Sequence, residues 1–220
     1  HTTYSFDAFV FGTTVGPRDA YRYALGETIQ HPGGFDMTLR EPLDFYAVTD
    51  HALFLGVARE ASDPDSALGQ LAIAEPMHDL NAEDNRGFLR VLPRLQAFGT
   101  FIPSIINGIM NGDVDPRLTA KVARTTWQDI VDAAEQFNSP GHFTTFVAYE
   151  HTDTPRMTKI HRNVIFRNAT VPDLPVNSIE APSAAALWQR LESECLDAEG
   201  DCDVLAIPHN PNLSNGQMFS

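Results

Sequence analysis

The stretch Phe45-Tyr46-Ala47-Val48-Thr49-Asp50-His51 decides the expected fold, because an apolar run ends abruptly in two side chains that bind metals. The same pattern recurs in residues 144–151, which end in Glu150-His151, and in residues 203–210, which end in His209-Asn210. Short β-prone runs of this kind are typical of buried strands. Parallel strands of an α/β barrel carry catalytic groups at their carboxyl ends, so the pattern predicts that these three ends face one site.

Helical patterns lie between these strands. Residues 16–26 carry a proline at the start and a glycine at the end, which predicts a short helix. Apolar residues recur at helical spacing from Thr125 to Phe137, and Ser183 is suited to cap a helix over 184–195. The alternation of strand and helix indicates an α/β class.

This alternation predicts a single domain over residues 1–220 with part of a distorted TIM-type (β/α) barrel. A further strand is expected at 163–167, and prolines within 52–116 indicate short helices in an insertion at about 60–116. The visible strands are too few to close a barrel. We therefore expect this chain to be the N-terminal portion of the domain, with a first strand before His1 and further strands after Ser220.

Composition excludes several classes of protein. A hydrophobic content of 43% and an aromatic content of 10% exclude a disordered chain. The net charge of −14 argues against a nucleic-acid surface, which needs clustered Lys and Arg. No apolar run approaches the roughly 20 residues that span a bilayer, so we expect no membrane partner.

Two cysteines, Cys195 and Cys202, stand close together and leave two readings open. A disulfide would close a small surface loop and favour an oxidising compartment, whereas two free thiols would leave the compartment undecided. A zinc site is less suited to this pair, because the chain has no second pair of cysteines. Export remains open because the chain starts at His1, and a periplasmic or secreted location is favoured over a cytoplasmic one.

The strand ends supply the ligands of a hydrolytic metal site, which needs imidazoles and carboxylates with positions left open for water and substrate. The residues of these types near the expected strand ends are His1, Asp7, Asp50, His51, Glu150, His161 and His209. A lone histidine at a strand end is more often structural. Recurrence at three strand ends predicts a shared metal site.

The opening His1-Thr2-Thr3-Tyr4-Ser5-Phe6-Asp7 and the stretch 47–51 resemble the polymerase and histidinol phosphatase (PHP) superfamily. The resemblance implies that His1 is the second histidine of an opening pair, with Asp7 as the acidic position that follows it. It also implies that His51, Glu150, His161 and His209 are metal ligands. Residues 4–13, 161–167 and 207–214 resemble a mainly bacterial branch labelled as a domain of unknown function.

The chain departs from the superfamily pattern in three places. The first histidine of the opening pair and the C-terminal Asp-x-His are absent. An aromatic residue often stands where this chain has His151, so His151 is interpreted as a neighbour that points away from the metal, because adjacent strand residues face opposite sides.

The resemblance implies a metal-dependent hydrolase of phosphate esters, with sulfate esters as a second possibility. Two or three divalent ions are expected, and the ligand types admit manganese, zinc or iron. Asp50 is the expected catalytic carboxylate, either as a ligand or by orienting ligands, and Ser5 is expected in a turn or an orienting role.

Recognition of an anionic ester requires positive charge in an acidic protein. The basic residues near the expected ligands are Arg156, Lys159, Arg162 and Arg167. Arg162, next to His161, is the expected catalytic and substrate-binding cation, although a solvated loop face would produce the same sequence. Asn210 and Asn212 are expected to donate hydrogen bonds to the substrate or to shape a turn.

Two other classes of protein fit the same residues. One is a non-catalytic binding module that keeps a structural metal with no open position. The other is an amidohydrolase-like enzyme that cleaves C–N bonds, which shares barrel geometry and histidine ligands. The expected partner in the favoured reading is a small anionic ester, and the oligomeric state is left open.

Overall fold

The computed structural model describes residues 1–85, 91–155 and 158–219. Its α-helices are α1 (Phe6–Val10), α2 (Pro17–Ala24), α3 (Val57–Ala61), α4 (Val91–Asn111), α5 (Pro116–Phe137) and α6 (Ala184–Leu191). Its strands are β1 (Ile29–Gln30), β2 (Asp36–Met37), β3 (Phe45–Ala47), β4 (Thr144–Phe146), β5 (Ala148–Asp153), β6 (Ile160–Phe166) and β7 (Val204–Asn210). Short 3₁₀-helices cover Ala72–Met77, Glu83–Asn85 and Gln217–Phe219, and a π-helical turn covers Glu192–Leu196.

The strands form small separate sheets, and the expected TIM-type barrel is wrong: the described residues contain no closed barrel. β1 and β2 pair antiparallel, β3 and β4 pair parallel, and β5, β6 and β7 form an antiparallel sheet in that order. The physical reason lies in the link between β5 and β6. Residues 154–159 are too few for the helical crossover that a parallel partner requires, so β6 returns antiparallel to β5.

The ligand-bearing runs also differ from simple strand ends. β3 ends at Ala47, and His51 follows in an irregular continuation that forms an isolated parallel bridge with Glu150. Glu150 lies inside β5, which continues to Asp153, and His209 lies within β7. The three runs therefore converge by lateral pairing of strands.

Helices form at the predicted places, but some of them begin or end at other residues than predicted. α2 occupies the predicted segment, and the Ser183 side chain caps α6 by accepting a hydrogen bond from the Ala186 amide. α5 begins at Pro116, well before the predicted start, because Asp115 caps it there. α4 replaces the short helices expected near 91–111 and continues through Pro103, since its buried face packs into the core.

Among the described residues, the core consists of two clusters of buried side chains. In the first, Trp127 of α5 packs edge-on against Tyr149 of β5 and Phe166 of β6. The second lies beneath α1, α3 and α4 and includes Phe9 and Phe101. The candidate metal ligands lie on elements that contribute to both parts of the core, because α1 carries Asp7 and β5 carries Glu150.

Cys195 and Cys202 form a disulfide, which decides between the two readings of this pair. Cys195 is buried at the end of the π-helical turn, and Cys202 stands two residues before β7. The bond therefore connects the start of β7 to the π-helical turn that follows α6.

Within the described residues, no helix has both the length and the apolar character that are needed to cross a membrane.

Gly56 provides a test of how the N-terminal segment is held. Its φ is +74°, its amide donates to the Tyr4 carbonyl at 2.8 Å, and an added Cβ would overlap the Thr126 side chain. Gly56→Ala is expected to lower the free energy of unfolding by about 2–4 kcal/mol, through the left-handed backbone and overpacking. Gly99→Ala is the control, because its helical site has open space around it. That change is expected to raise stability by roughly 0.5–1 kcal/mol in urea titrations. Equal effects of both changes would show that the left-handed backbone and close packing of Gly56 do not hold the N-terminal segment.

Candidate metal centre

The register of the antiparallel sheet separates the polar side chains of β5 and β6 onto two faces. Glu150 pairs with Asn163 and Thr152 pairs with His161, so these residues share one face, which we call the front face. His151 pairs with Arg162, and both therefore lie on the opposite, back face. One residue of register thus decides which side chains reach the site.

A β-bulge brings β7 into the front face. His161 pairs with Asn210, but the next residue, Arg162, pairs with Pro208, which leaves His209 as the additional residue of the bulged strand. Bulges of this kind redirect a side chain next to functional sites. Here the bulge places the His209 ring 6.1 Å, between ring centroids, from that of His161.

The carboxylate of Glu150 is contacted by four imidazoles. Its Oε2 lies 2.9 Å from His1 Nε2 and 3.1 Å from His209 Nε2. Its Oε1 lies 2.5 Å from His161 Nδ1 and 3.5 Å from His51 Nδ1. The Glu150 side chain is only 2% exposed, so these contacts replace water almost completely.

Asp7 extends the cluster on the other side of His51. Its Oδ2 lies 3.6 Å from His51 Nε2, and its Oδ1 lies 3.5 Å from His1 Nδ1. His51 therefore directs one ring nitrogen toward Glu150 and the other toward Asp7. Two adjacent groups result, one of His1, Asp7 and His51 and one of His51, Glu150 and His161, with ligand atoms that all lie within 4.8 Å of one another in each group.

Thr152 is a site residue that the sequence analysis missed. Its hydroxyl donates to Glu150 Oε1 at 2.8 Å and lies 2.9 Å from His161 Nδ1 and 3.1 Å from His51 Nδ1. A hydroxyl has one donor and two acceptor positions, which matches these three neighbours. The available signal was its position two residues after Glu150 on the same strand, because such residues share a face.

Ser5 orients the residues around Asp7. Its hydroxyl donates to Asp7 Oδ1 at 2.7 Å, lies 3.0 Å from His1 Nδ1, and accepts the His51 amide at 3.2 Å. Ser5 is fully buried. Its contacts correspond to the orienting role that we expected from the sequence.

Asp50 is not brought into this cluster. It is fully buried, and its two oxygens accept hydrogen bonds from the Thr2 amide and from the Thr2 hydroxyl, the latter at 2.6 Å. Burial raises its pKa, although these hydrogen bonds act in the opposite direction. Asp50 therefore anchors the segment that carries His1, which fits the orienting alternative, and its catalytic role stays a prediction.

Arg162 is also placed away from the imidazoles. On the back face its guanidinium lies 3.4 Å from Asp153 Oδ2 and 5.8 Å from the centroid of the Trp188 ring. The structure therefore does not bring Arg162 to the cluster, because adjacent residues of a strand face opposite sides.

The remaining residues that were predicted to contact the anion lie in different places. Arg167 pairs with Asp201 and Asp203 at the surface, and Arg156 lies outside the described residues. The Asn210 side chain accepts the Asn212 amide at 3.3 Å, which is the turn geometry left open above, and makes no other hydrogen bond among the described residues. Lys159 lines the cavity that adjoins the cluster.

His151 points away from the cluster, as its strand position predicts. It is fully buried, and its Nε2 lies 2.9 Å from the Ala181 carbonyl. Burial lowers its pKa to about 4, so the ring is neutral at pH 7.

The charges of the cluster are strongly coupled. Burial disfavours the charged form of His1, yet hydrogen bonds and charges of Asp7 and Glu150 outweigh burial and raise its pKa to about 10. Burial would raise the pKa of Glu150, but His1, His161 and His51 hold it well below its usual range. The pKa of Asp7 is lowered in the same way, against burial, by its bonds to His1 and His51. Both carboxylates are therefore ionised.

The donor set fits divalent metal ions. Imidazoles suit zinc and iron, and added carboxylates suit manganese as well. One further polar atom on the front face, the amide oxygen of Asn163, is buried and has no hydrogen-bond partner among the described residues. A buried polar atom of this kind calls for a partner, which can be a water molecule or an ion.

A cavity of about 470 Å³ adjoins the cluster and is lined by Asp7, His51, Thr152, Lys159 and His161 together with apolar side chains. A larger cavity of about 600 Å³ lies near Phe45 and Leu205, and none of the clustered imidazoles lines it. Of these two cavities, the smaller one is therefore the one that clustered imidazoles line, through His51 and His161.

Comparison with known proteins identifies one family. The family model described as "Protein of unknown function (DUF3604)" matches residues 1–220. No curated protein and no solved structure matches the chain. The resemblance to the PHP superfamily is therefore wrong as a family assignment, because the matching family is a different one and nothing in these comparisons links the chain to that superfamily.

The contacts of Thr152 predict that its hydroxyl orients three ligands. Thr152→Val keeps the shape of the side chain but removes the hydroxyl, and the affinity for a divalent ion is expected to fall about 10- to 100-fold. Thr152→Ser restores the hydroxyl and is expected to restore most of the affinity. Competition with a chelator measures the metal affinity of both variants, and unfolding curves check that the variants fold. Equal affinity of the valine and wild-type proteins would show that the hydroxyl has no such role.

The raised pKa of His1 predicts proton release when a metal binds. Because its pKa is about 10, His1 carries a proton at pH 7 that a metal ion must displace. Between pH 7 and pH 9, the apparent affinity is expected to rise with pH, by about tenfold per unit for one displaced proton. Calorimetry in buffers of different ionisation enthalpy counts the protons. Metal binding with no proton release at pH 7 would contradict the protonated state of His1.

Proposed function

The chain belongs to the DUF3604 family, and we propose that it is a metal-dependent hydrolase that cleaves phosphate or sulfate esters. Two or three divalent ions, manganese, zinc or iron, are the proposed cofactors. The observation that carries the proposal is the convergence of four imidazoles on the buried Glu150 carboxylate, beside a cavity of about 470 Å³.

The open cavity favours catalysis over a structural metal. Structural sites surround the ion with protein ligands, whereas catalytic sites keep a position for water or substrate. His51 and His161 belong to the cluster and also line the cavity, so a small molecule in the cavity contacts the ligands directly. A non-catalytic module would not need this access.

The residues of the chain have distinct tasks in the proposed reaction. When bound, the metal ions supply Lewis acidity and an acidified water as the nucleophile. Glu150, Asp7 and the imidazoles hold the ions, and Thr152 orients the rings of His51 and His161.

Lys159 replaces Arg162 as the proposed anion-binding cation. It lines the same cavity as His51 and His161, whereas Arg162 faces Asp153 on the back of the sheet. A cation at this position stabilises negative charge that develops on the ester oxygens.

Two other predictions remain proposals. The amidohydrolase-like alternative rests on barrel geometry and on histidine ligands. It loses the first support, because the described residues form no barrel, and keeps the second. A periplasmic or secreted location is supported by the Cys195–Cys202 disulfide, since such bonds persist in oxidising compartments.

Removal of one ligand is the decisive test of the proposed function. Glu150→Gln and His161→Ala are expected to lose bound metal and to reduce ester hydrolysis by more than about a hundredfold. His142→Ala is the control, because His142 is exposed and lies outside the cluster. Metal content and a screen of phosphate and sulfate esters are measured on the full-length protein. Metal-replete protein that hydrolyses neither ester would refute the function, as would full activity in both ligand variants.

A further inference from the structure

The cavity beside the cluster has both a polar and an apolar lining. The polar lining includes the candidate ligands His51 and His161, together with Lys159. The apolar lining is formed by Phe6, Phe11, Leu53, Phe98, Ile102 and Leu213. A ligand in the cavity therefore meets both charged groups and hydrocarbon.

Part of the apolar lining is a wall of packed aromatic rings formed by Phe6, Phe11 and Phe98. Phe6 stacks on Phe98 with centroids 5.5 Å apart and planes inclined by 16°, and Phe11 lies 5.1 Å from Phe98. Phe6 also stacks on Phe101, which is buried in the core beneath α4. Since Phe6 directly precedes Asp7 in the chain, the position of the wall is fixed relative to the cluster.

This wall leaves apolar surface in contact with solvent. Phe11 is 52% exposed, Phe98 is 42% exposed and Leu213 is 73% exposed. Leu213 is held at a φ of +56°, a conformation that is uncommon for residues other than glycine, and its carbonyl accepts the Lys159 amide at 2.9 Å. This hydrogen bond holds Leu213 next to Lys159 in the lining of the cavity.

We infer that the site takes esters whose alcohol part is a sizeable apolar group, an inference that rests on the hydrolase function proposed above. The anionic group of such an ester is held near Lys159 and the cluster, while the apolar group covers Phe98 and Leu213. A cavity of about 470 Å³ is within the usual range for small-molecule sites. Esters of polyols are disfavoured, because their hydroxyl groups would lose water without gaining hydrogen bonds from the aromatic wall.

The test uses two homologous series on the metal-loaded full-length protein. Phosphate monoesters of ethanol, butanol, hexanol and octanol report turnover. The corresponding alkylphosphonates, whose C–P bond is not an ester bond, report binding by calorimetry. The kcat/KM of the esters and the affinity of the phosphonates are both expected to improve about three- to fourfold per methylene until the apolar lining is covered. Glycerol phosphate is expected to be a poor substrate.

Substitutions in the apolar lining test where the gain per methylene arises. Phe98→Ser removes the centre of the wall, and Leu213→Asn removes an exposed apolar side chain at a backbone conformation that asparagine tolerates. Both are expected to reduce the gain per methylene in each series. Met110→Ser is the matched control, because Met110 is 78% exposed on the same helix as Phe98 and does not line this cavity. It is expected to leave the gain unchanged.

The outcomes separate the two proposals. Hydrolysis of the ethyl and octyl esters with equal kcat/KM would overturn the inference and leave the proposed function intact. Chain-length-dependent binding of phosphonates without hydrolysis of any ester would support the apolar site and refute the hydrolase. A gain per methylene that is unchanged in Phe98→Ser and Leu213→Asn would also overturn the inference.

Discussion

The buried carboxylate of Glu150 is the constraint on which the rest of the structure depends. A carboxylate that is only 2% exposed is costly unless charges and hydrogen bonds replace its water. The chain meets this requirement with imidazoles from segments that are far apart in sequence, including His1 and His209. The pairing of β5, β6 and β7 and the position of the N-terminal segment together bring these rings to one carboxylate.

The N-terminal segment is positioned by contacts that lie beside the cluster. The Asp50 carboxylate accepts two hydrogen bonds from Thr2, and the Tyr4 carbonyl accepts the Gly56 amide. Because Thr2 follows His1 directly, these bonds determine where the first imidazole lies. The adjacent Asp50 and His51 thus perform two tasks, with Asp50 anchoring the chain and His51 joining the cluster.

The two faces of the β5–β7 sheet explain why neighbouring polar residues have different functions. The back face is covered by α5 and α6, where Trp127 and Trp188 contact Tyr149 and Arg162. The front face carries the cluster and borders a cavity that residues of α1 and α4 also line. Two imidazoles and Lys159 therefore share one cavity with apolar side chains, and the proposed amphiphilic ester needs both kinds of surface.

The sequence by itself determined the residue types of the site, because an apolar run that ends in His51, Glu150 or His209 is visible without coordinates. It also determined α2 and the start of α6, whose caps are local. The tertiary structure alone decided that the short link between β5 and β6 makes an antiparallel sheet instead of a barrel. It also decided that Arg162 faces away while Thr152 faces the imidazoles, because the register of a strand depends on its partners.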